Sequence, residues 1–507
     1  MFAATGPESI AFDARAIDEF GVPQPVLMEN AGRAAAIVLQ RLFPRGPVLG
    51  VIGAGNNGGD ALVLLRTLKS WGREVMAVVV ADRDLDDPLL HGWTFPALRD
   101  VDADDAQWAE WASSSSVLVD GVLGTGVQGK PRDRQAEAIR RINGGGRPVL
   151  AIDVPSGVNA TSGAVLGEAV RADVTVAFGA PKLGCLLHPA RAMVGRHIAV
   201  EIGFPLLSES DAGARLVTPR WAQDLLPSRS TDTHKNAVGR ALVVAGGSGM
   251  AGAAVLAARG AFRAGAGLVR VGSIPENREV IQAAVPEAIY VDVTDADALE
   301  SAWTRSDAVA VGPGLGTDSV ARSAVEFVAQ ATPLPTLLDA DALNIAAAGG
   351  LDLGSLSASR PVLITPHPGE MSRLLPDASG ADRVGLVRGA SERFSCAVLL
   401  KGAPSLVCSS DGHLRVDAQG TSDLAVAGMG DALTGICVGL MAQGLVPADA
   451  GAVGLYLSGR AAHLAGRGAG LTPPDVLRWL PDALQERGDS VSDLDMPFVT
   501  FDADAAR

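Results

Sequence analysis

The chain runs to 507 residues, more than one ordinary hydrophobic core holds, so two or three domains are expected. Its composition, 48% hydrophobic and 20% charged with 60 glycines, suits globular α/β domains joined by many tight turns. A formal net charge of −15 argues against a general binder of nucleic-acid backbones, although a nucleotide pocket needs only a few placed cations and amides.

At the N-terminus, Glu8, Asp13, Asp18 and Glu19 stand where a secretory leader would carry cations and an apolar run. No uninterrupted apolar stretch reaches membrane-spanning length, so a cytoplasmic protein with no membrane partner is expected. Through the first half, the pattern predicts helices at 29–42, 59–71 and 133–142 and strands at 48–53, 75–81, 117–120, 149–153 and 173–178. Short apolar runs alternating with helical segments are the mark of a parallel sheet with crossover helices. The cysteines (Cys185, Cys396, Cys408, Cys437) form no CxxC pair and read as buried free thiols, and the histidines form no HExxH zinc motif.

Polar residues crowd the ends of the predicted strands. The first strand runs into Gly53-Ala54-Gly55-Asn56-Asn57-Gly58-Gly59-Asp60, a formal GxGxxG whose glycines permit a tight turn beside an anion. Asp82 closes the next strand, where a ribose-binding carboxylate would sit, so a dinucleotide-dependent dehydrogenase is a competing reading. Against it, Asn56, Asn57 and Asp60 stand where a pyrophosphate loop usually carries small apolar residues. Two further strand ends carry Asp120-Gly121-Val122-Leu123-Gly124-Thr125-Gly126 and Asp153-Val154-Pro155-Ser156-Gly157. In open α/β sheets such ends converge on one crevice. Helix and turn capping explains any one of the three segments but explains all three together poorly.

Together with Met28-Glu29-Asn30-Ala31-Gly32, these segments resemble the YjeF N-terminal family of NAD(P)H-hydrate epimerases over about residues 10–210. The resemblance implies a potassium ion on Asn57, Asp120 and Ser156, oxygen donors suited to a hard, large cation. It implies a hydrated nicotinamide lying along Asn56, Asn57, Gly58, Gly59 and Asp60 and along Gly124, Thr125, Gly126, Val127, Gln128, Gly129 and Lys130, in contact with Asp153. Epimerisation at the hydrated ring carbon needs proton transfer, which makes Asp153 the candidate acid/base; a purely binding role is the alternative.

Near residue 208 the pattern breaks into polar sequence, and a second α/β series opens at 241–245. The expected domains are residues 1–215 and 216–487, followed by an acidic mobile tail at 488–507. In the second half, Asp431 lies in Gly428-Met429-Gly430-Asp431-Ala432-Leu433-Thr434-Gly435, where small or flexible residues before a helix can turn their amides on a phosphate. A carboxylate there could take the proton from an attacking hydroxyl, or be simply an acid favoured by the helix dipole. No GxxxxGK[ST] occurs, which excludes a P-loop.

Upstream come Gly246-Gly247-Ser248-Gly249, Gly252-Ala253-Ala254, Arg263 to Gly267, and Gly312-Pro313-Gly314-Leu315-Gly316. Asp339 to Asn344, Thr365-Pro366-His367-Pro368-Gly369-Glu370 and Lys401-Gly402-Ala403-Pro404-Ser405 follow. In this order they resemble the ribokinase-like YjeF C-terminal family of NAD(P)H-hydrate dehydratases over about residues 230–485. That resemblance implies an adenine nucleotide against Lys401, Gly402, Ala403, Pro404, Ser405 and Gly430, and a hydrate touching Ala253, Gly314, His367 and Asp431. Asp431 would help the ring hydroxyl take a phosphoryl group, which then leaves as phosphate, with magnesium neutralising the phosphates.

The fold expected is therefore α/β, a Rossmann-like three-layer domain followed by a ribokinase-like α/β domain. The function implied is repair of hydrated NADH and NADPH: epimerisation of the R and S forms, then dehydration of the S form. The Ala-, Arg- and Gly-rich composition and fused architecture look bacterial, and bacterial members use ADP, giving AMP and phosphate. A homo-oligomer with no nucleic-acid partner is expected.

The chain departs from the family pattern at Thr421-Ser422-Asp423-Leu424, where Asn-Pro-Gly-Met is usual, at Met429 in place of Thr, and at Asn236 in place of Gly. One alternative is a vitamin or sugar kinase fused to a dinucleotide-binding domain; it leaves the first half unexplained. A non-enzymatic scaffold is another, opposed by the presence of Asp60, Asp120 and Asp153 together.

Overall fold

Alternation along the strand Val48–Ile52 divides the first unit into layers: Val48 and Ile52 enter one apolar core, Leu49 and Val51 the other. The computed structural model describes every residue except 81, 82, 84–86, 209, 210, 233, 236, 379, 487–493 and 505–507. Asp82 and Asn236, named above, lie outside the described residues.

The first unit comprises residues Met1–Arg215 and Ser490–Arg507. Its sheet runs, in spatial order, Ala97–Arg99, Val75–Val79, Val48–Ile52, Val117–Gly121, Val149–Ile152, Val174–Phe178 and Arg196–Val200, all parallel, then Val499–Ala503, antiparallel. Helices Gln24–Leu42 and Asn56–Ser70 cover one face, and Asp105–Ser114 and Asp133–Gly144 the other. This is the Rossmann-like three-layer arrangement.

Two helices begin earlier than the periodicity predicts. The one expected at 29 starts at Gln24, because Pro23 caps it in an extended conformation and Pro25 sits in the first turn, where a missing N–H removes nothing. The one expected at 59 starts at Asn56, so Asn57 to Asp60 are helical and the turn is confined to Gly53–Gly55.

A mobile C-terminal tail was expected, and the described part of it is ordered instead. Val499–Ala503 pairs with Arg196–Val200 at the sheet edge. The Arg196 guanidinium grips both Asp502 carboxylate oxygens at 2.8 and 2.5 Å, Phe501 lies edge-on to His197, and Leu494 is buried in the core. The acidic composition hid an alternation of apolar residues too short to register without its partner strand.

The second unit spans Leu216–Asp489. Its sheet includes, in spatial order, Leu414–Asp417, Leu406–Cys408, Ala397–Leu400, Val362–Ile364, Thr336–Leu338, Ala308–Val311, Arg240–Val244, Leu268–Ser273 and Ile289–Asp292. From Ala397–Leu400 onward neighbours are parallel, and the two strands before it are antiparallel. One face packs against helices Ala251–Arg263, Met429–Ala442, Pro447–Ala465 and Pro473–Gln485. The first two meet backbone to backbone: a Cβ on Gly435 would fall 2.0 Å from the Ala257 carbonyl oxygen. Only glycine fits there, and that contact fixes the helix that carries Asp431. Among the described residues, no helix is long and apolar enough to cross a membrane.

In each sheet, chain order reverses beside one strand. Val48–Ile52 lies between Val75–Val79 and Val117–Gly121, and Arg240–Val244 between Leu268–Ser273 and Ala308–Val311. Loops leaving the carboxyl ends of such strands diverge and open a crevice.

Candidate active sites

In the first unit, the turn Gly53–Gly55 and the segment after Val117–Gly121 border that crevice. Asn57 in the following helix donates from Nδ2 to the Leu123 carbonyl at 2.8 Å, and Gly124 lies against the Asn57 side chain. Gly58 must be glycine, since a Cβ would stand 2.0 Å from the Gly53 carbonyl oxygen. Arg83 braces the same turn, donating to the Gly53 and Gly55 carbonyls at 2.8 and 3.1 Å.

Asp120 is fully buried. Ser156 donates to it twice, from Oγ at 2.6 Å and from its backbone N–H at 2.8 Å, while the Leu123 N–H donates to Ser156 Oγ at 2.8 Å. The three residues expected to hold potassium therefore meet around Leu123. Burial pushes the Asp120 carboxyl up to about 6, against the hydrogen bonds from Ser156 and Val122. No cationic side chain is paired with Asp120 among the described residues, so its charge lacks a partner.

Asp153 follows the strand Val149–Ile152 with φ at +61°, a left-handed backbone that is strained for a residue with a Cβ. Its Oδ1 accepts from the Phe178 N–H at 3.0 Å and from Lys182 Nζ. Asp60 is nearly buried, and its carboxyl is held well above the usual range, first by burial, then by Asp153 and Asp13, with Lys182 and Arg83 opposing. Of the other segment expected to touch substrate, Gly124, Thr125 and Val127 are half-buried while Gly126, Gln128, Gly129 and Lys130 are exposed.

In the second unit, Asp431 occupies the first turn of Met429–Ala442, with Gly428 as cap at φ +84°. Burial, followed by Asp339, raises its carboxyl to about 6; Lys401 pulls down and Asp341 adds to the rise. Lys401 Nζ donates to Asp339 Oδ1 at 2.6 Å, and Thr434 Oγ1 donates to Asp339 Oδ2 at 2.6 Å. A Cβ on Gly430 would stand 3.4 Å from Lys401 Nζ, so these two expected nucleotide residues adjoin. Burial lowers the Lys401 ammonium, but Asp339, Glu370 and Asp431 raise it on balance. Arg383 props the loop after Lys401, donating to the Lys401 and Pro404 carbonyls at 3.1 and 2.9 Å, and Ser405 Oγ donates back to the Gly402 carbonyl at 3.0 Å. Ala403 lies exposed at its tip.

Ala253 and Gly314 also adjoin, a Cβ on Gly314 falling 2.8 Å from the Ala253 Cβ. Asn277 holds their neighbour in place, donating to the Gly246 and Gly247 carbonyls at 2.8 and 3.0 Å. His367 is an exposed helix cap: its Nδ1 accepts from the Gly369 and Glu370 N–H groups at 3.0 and 3.3 Å, and its Nε2 lies 3.3 Å from Glu370 Oε1.

Sequence reasoning missed several residues that shape these sites: Asp13 and Lys182 in the first unit, Thr434, Glu370, Asn277 and Arg383 in the second. Asp13, Lys182, Asn277 and Arg383 lie outside the quoted glycine-bearing segments, whereas Thr434 and Glu370 lie within two of them and were assigned no role. Asp339 stood in a quoted motif but was assigned no role, although as a buried acid it needed a cation, and Lys401 was the available one.

Comparisons with known proteins agree with this division. A family model described as NAD(P)H-hydrate dehydratase matches residues 241–481, and one described as YjeF-related protein N-terminus matches residues 24–184. A bifunctional NAD(P)H-hydrate repair enzyme of Moorella thermoacetica is 34% identical, covering 97% of this chain and 98% of its own. One of Salinibacter ruber is 35% identical, covering 94% and 95%. Among solved structures, a ribokinase-like superfamily protein of Enterococcus faecalis aligns with a TM-score of 0.50 at 24% identity, over 55% of this chain and 98% of that one. That likeness shows the ribokinase-like fold.

Proposed function

The chain belongs to the family of bifunctional NAD(P)H-hydrate repair enzymes, and from that premise we propose that its first unit interconverts the R and S hydrates of NADH and NADPH while its second dehydrates the S form with ADP. One observation carries the reading of the second unit: Asp431, a carboxyl raised to about 6, stands at a helix N-terminus beside the half-buried Lys401, which is paired with the buried Asp339. Phosphoryl transfer needs a base, a cation and amides aimed at phosphate.

In this reading Asp431 takes the proton of the ring hydroxyl as its oxygen attacks the β-phosphorus of ADP, and AMP leaves. The carbon–oxygen bond of the new ester then breaks, releasing phosphate. A proton leaves the adjacent ring carbon, and the ring double bond returns. Lys401 steadies the phosphate charge, and the loop to Ser405 borders the nucleotide. Ala253, Gly314 and His367 form the hydrate side. Magnesium, when bound, neutralises the phosphate oxygens; it usually takes one or two carboxylates plus phosphates, and Asp339, Asp341 and Glu370 are the acids nearby.

In the first unit Asp153 takes the proton of the hydroxyl on the hydrated carbon as that carbon's bond to the ring nitrogen opens to an aldehyde and the nitrogen gains a proton. Reclosure on the other face, with both protons returned, inverts the carbon, and Asn56 to Asp60 and Gly124 to Lys130 border the substrate. Potassium fits on the donor chemistry: a buried carboxylate without a cation, the Ser156 hydroxyl and the Asn57 side chain. When bound it would neutralise Asp120 and join the two strand-end loops. Cytoplasmic residence, expected above from the lack of a long apolar run, and assembly of like copies are part of the same proposal.

The direct test is incubation of mixed hydrate epimers with ADP and magnesium, following dihydronicotinamide absorbance. Full recovery of both epimers is expected, with AMP and phosphate formed. Activity with ATP alone, or a stable phosphorylated product, would sink the ADP-dependent dehydratase reading.

A second expectation concerns potassium. Epimerisation should rise with potassium chloride against choline chloride, and Asp120→Asn should flatten that response while dehydration of pure S hydrate persists. Because the Asp120 carboxyl is raised to about 6, protonation should weaken the potassium response as pH falls through that value. An unchanged response in Asp120→Asn would count against the assignment.

A further inference from the structure

Lys182 is 2% exposed and stands amid the acids of the first site. The N-terminal segment clamps its backbone: the Ala4 N–H donates to the Pro181 carbonyl at 3.0 Å, and the Leu183 N–H donates to the Ala4 carbonyl at 2.8 Å. Its ammonium donates to Asp153 Oδ1 and, at 3.0 Å, to the Phe178 carbonyl. The same Oδ1 takes the Phe178 N–H, so one carboxylate oxygen is fully engaged. No hydrogen bond among the described residues involves the other oxygen, Oδ2. The strained left-handed backbone at Asp153 is held by this arrangement.

Two further carboxyls feel the charge of this ammonium without bonding it. Asp60 comes from the helix Asn56–Ser70 and Asp13 from the helix Gly6–Asp18, whose first residue packs on the Thr125 carbonyl. Asp13 is an exposed residue, yet desolvation lifts its carboxyl to about 6, with Lys182 opposing and Asp153 adding. On the inner side, the remaining titratable neighbours are Cys185 and His197, both fully buried, and Arg191. Burial pushes the Cys185 thiol up to about 12 and the His197 imidazole down to about 3, so neither competes for a proton near neutral pH. Arg83 also faces Asp60, so Lys182 is the cation that bonds Asp153 while Asp60 and Asp13 keep raised carboxyls.

We propose that Lys182 is the positioning residue of the epimerase: it bonds Asp153 rather than Asp60 or Asp13, and by holding Asp153 Oδ1 it leaves Oδ2 to face the hydrate. Asp60 and Asp13 are left as the acids able to return a proton to the opposite side of the reaction. This rests on the epimerase reading of the first unit. A lysine serving stability alone would leave proton transfer unchanged in any protein that still folds.

The full chain carrying Lys182→Met tests it, with Lys182→Arg beside it. In Lys182→Met, kcat for interconversion should fall roughly 10²-fold near pH 6, with KM nearly constant. The lower limb of the pH–kcat profile should move upward by about one pH unit or more, so that alkali restores part of the rate. Lys182→Arg should keep the limb in place at reduced kcat, and dehydration of pure S hydrate should be normal in both. A limb unmoved in folded Lys182→Met, or a loss confined to KM, overturns the proposal. Should Lys182→Met lose the fold of the first unit, by circular dichroism and thermal melting, Lys182→Arg decides. A limb that stays with lower kcat supports the proposal, and one displaced despite the retained charge overturns it. An inactive parent protein would instead remove the epimerase reading itself.

Discussion

Asp431→Ala should abolish nucleotide-dependent recovery of dihydronicotinamide from both hydrate epimers and leave their interconversion intact. The residue lies in the first turn of Met429–Ala442, and no hydrogen bond to its carboxylate is found among the described residues, so its removal empties the base position without unpairing a neighbour. Lys401, Asp339 and Thr434 keep their mutual bonds, and the Gly435 contact still seats the helix. Loss of a proton-transfer group costs about 10²–10⁴-fold in rate.

The parent protein should show the same dependence through pH. A base must be ionised, and the Asp431 carboxyl is raised to about 6, so dehydration should fall as pH drops through that value. Asp431→Asn, similar in shape and uncharged, should be as inactive as the alanine variant. Chromatography of the epimers separates the two chemistries. If Asp431→Ala stopped interconversion as well, with folding intact, two independent active sites would be wrong.

Asp153→Ala should split the recovery of a mixed hydrate sample into two phases. The S hydrate already present is consumed at the parent rate, because Asp431 and Lys401 are untouched. The R hydrate then follows only as fast as it epimerises without catalysis. With the parent protein a single progress curve runs to completion. A proton-transfer loss of about 10²–10⁴-fold leaves the phases well separated. The variant also leaves Lys182 buried without its carboxylate, which is destabilising, so a melting curve should accompany it. Asp153→Asn keeps a partner for the Lys182 and Phe178 groups and should show the same two phases with a smaller loss of stability. A single phase in both variants would assign Asp153 to binding or to structure.

Much of both folds could be read from local pattern. Strands expected at 48–53, 117–120 and 173–178 appear at Val48–Ile52, Val117–Gly121 and Val174–Phe178, since a buried parallel strand is a short apolar run that needs no partner to be recognised. The strand-end motifs were legible for a related reason: glycine, asparagine and aspartate gather where a backbone must turn sharply beside a ligand. Of the expected potassium donors, Asn57, Asp120 and Ser156 do come together, from three separate strand ends. Helix starts were less legible: the helix expected at 29 opens at Gln24, with Pro23 as its cap and Pro25 in its first turn.

The sequence by itself determined the two α/β series, the polar strand ends and the candidate acids, all of which are local in the chain. Tertiary structure alone decided how those acids are charged and what completes each unit. Lys182 lies 29 residues from Asp153, Lys401 lies 62 from Asp339, and Arg196 lies 306 from Asp502. A tail that composition alone marks as mobile becomes an edge strand once Arg196–Val200 is there to pair with it. His367 gives Nδ1 to a helix cap because the chain turns helical at Pro368. Periodicity is set by neighbours a few residues away, whereas desolvation and charge pairing are set by whatever folding brings within a few ångströms.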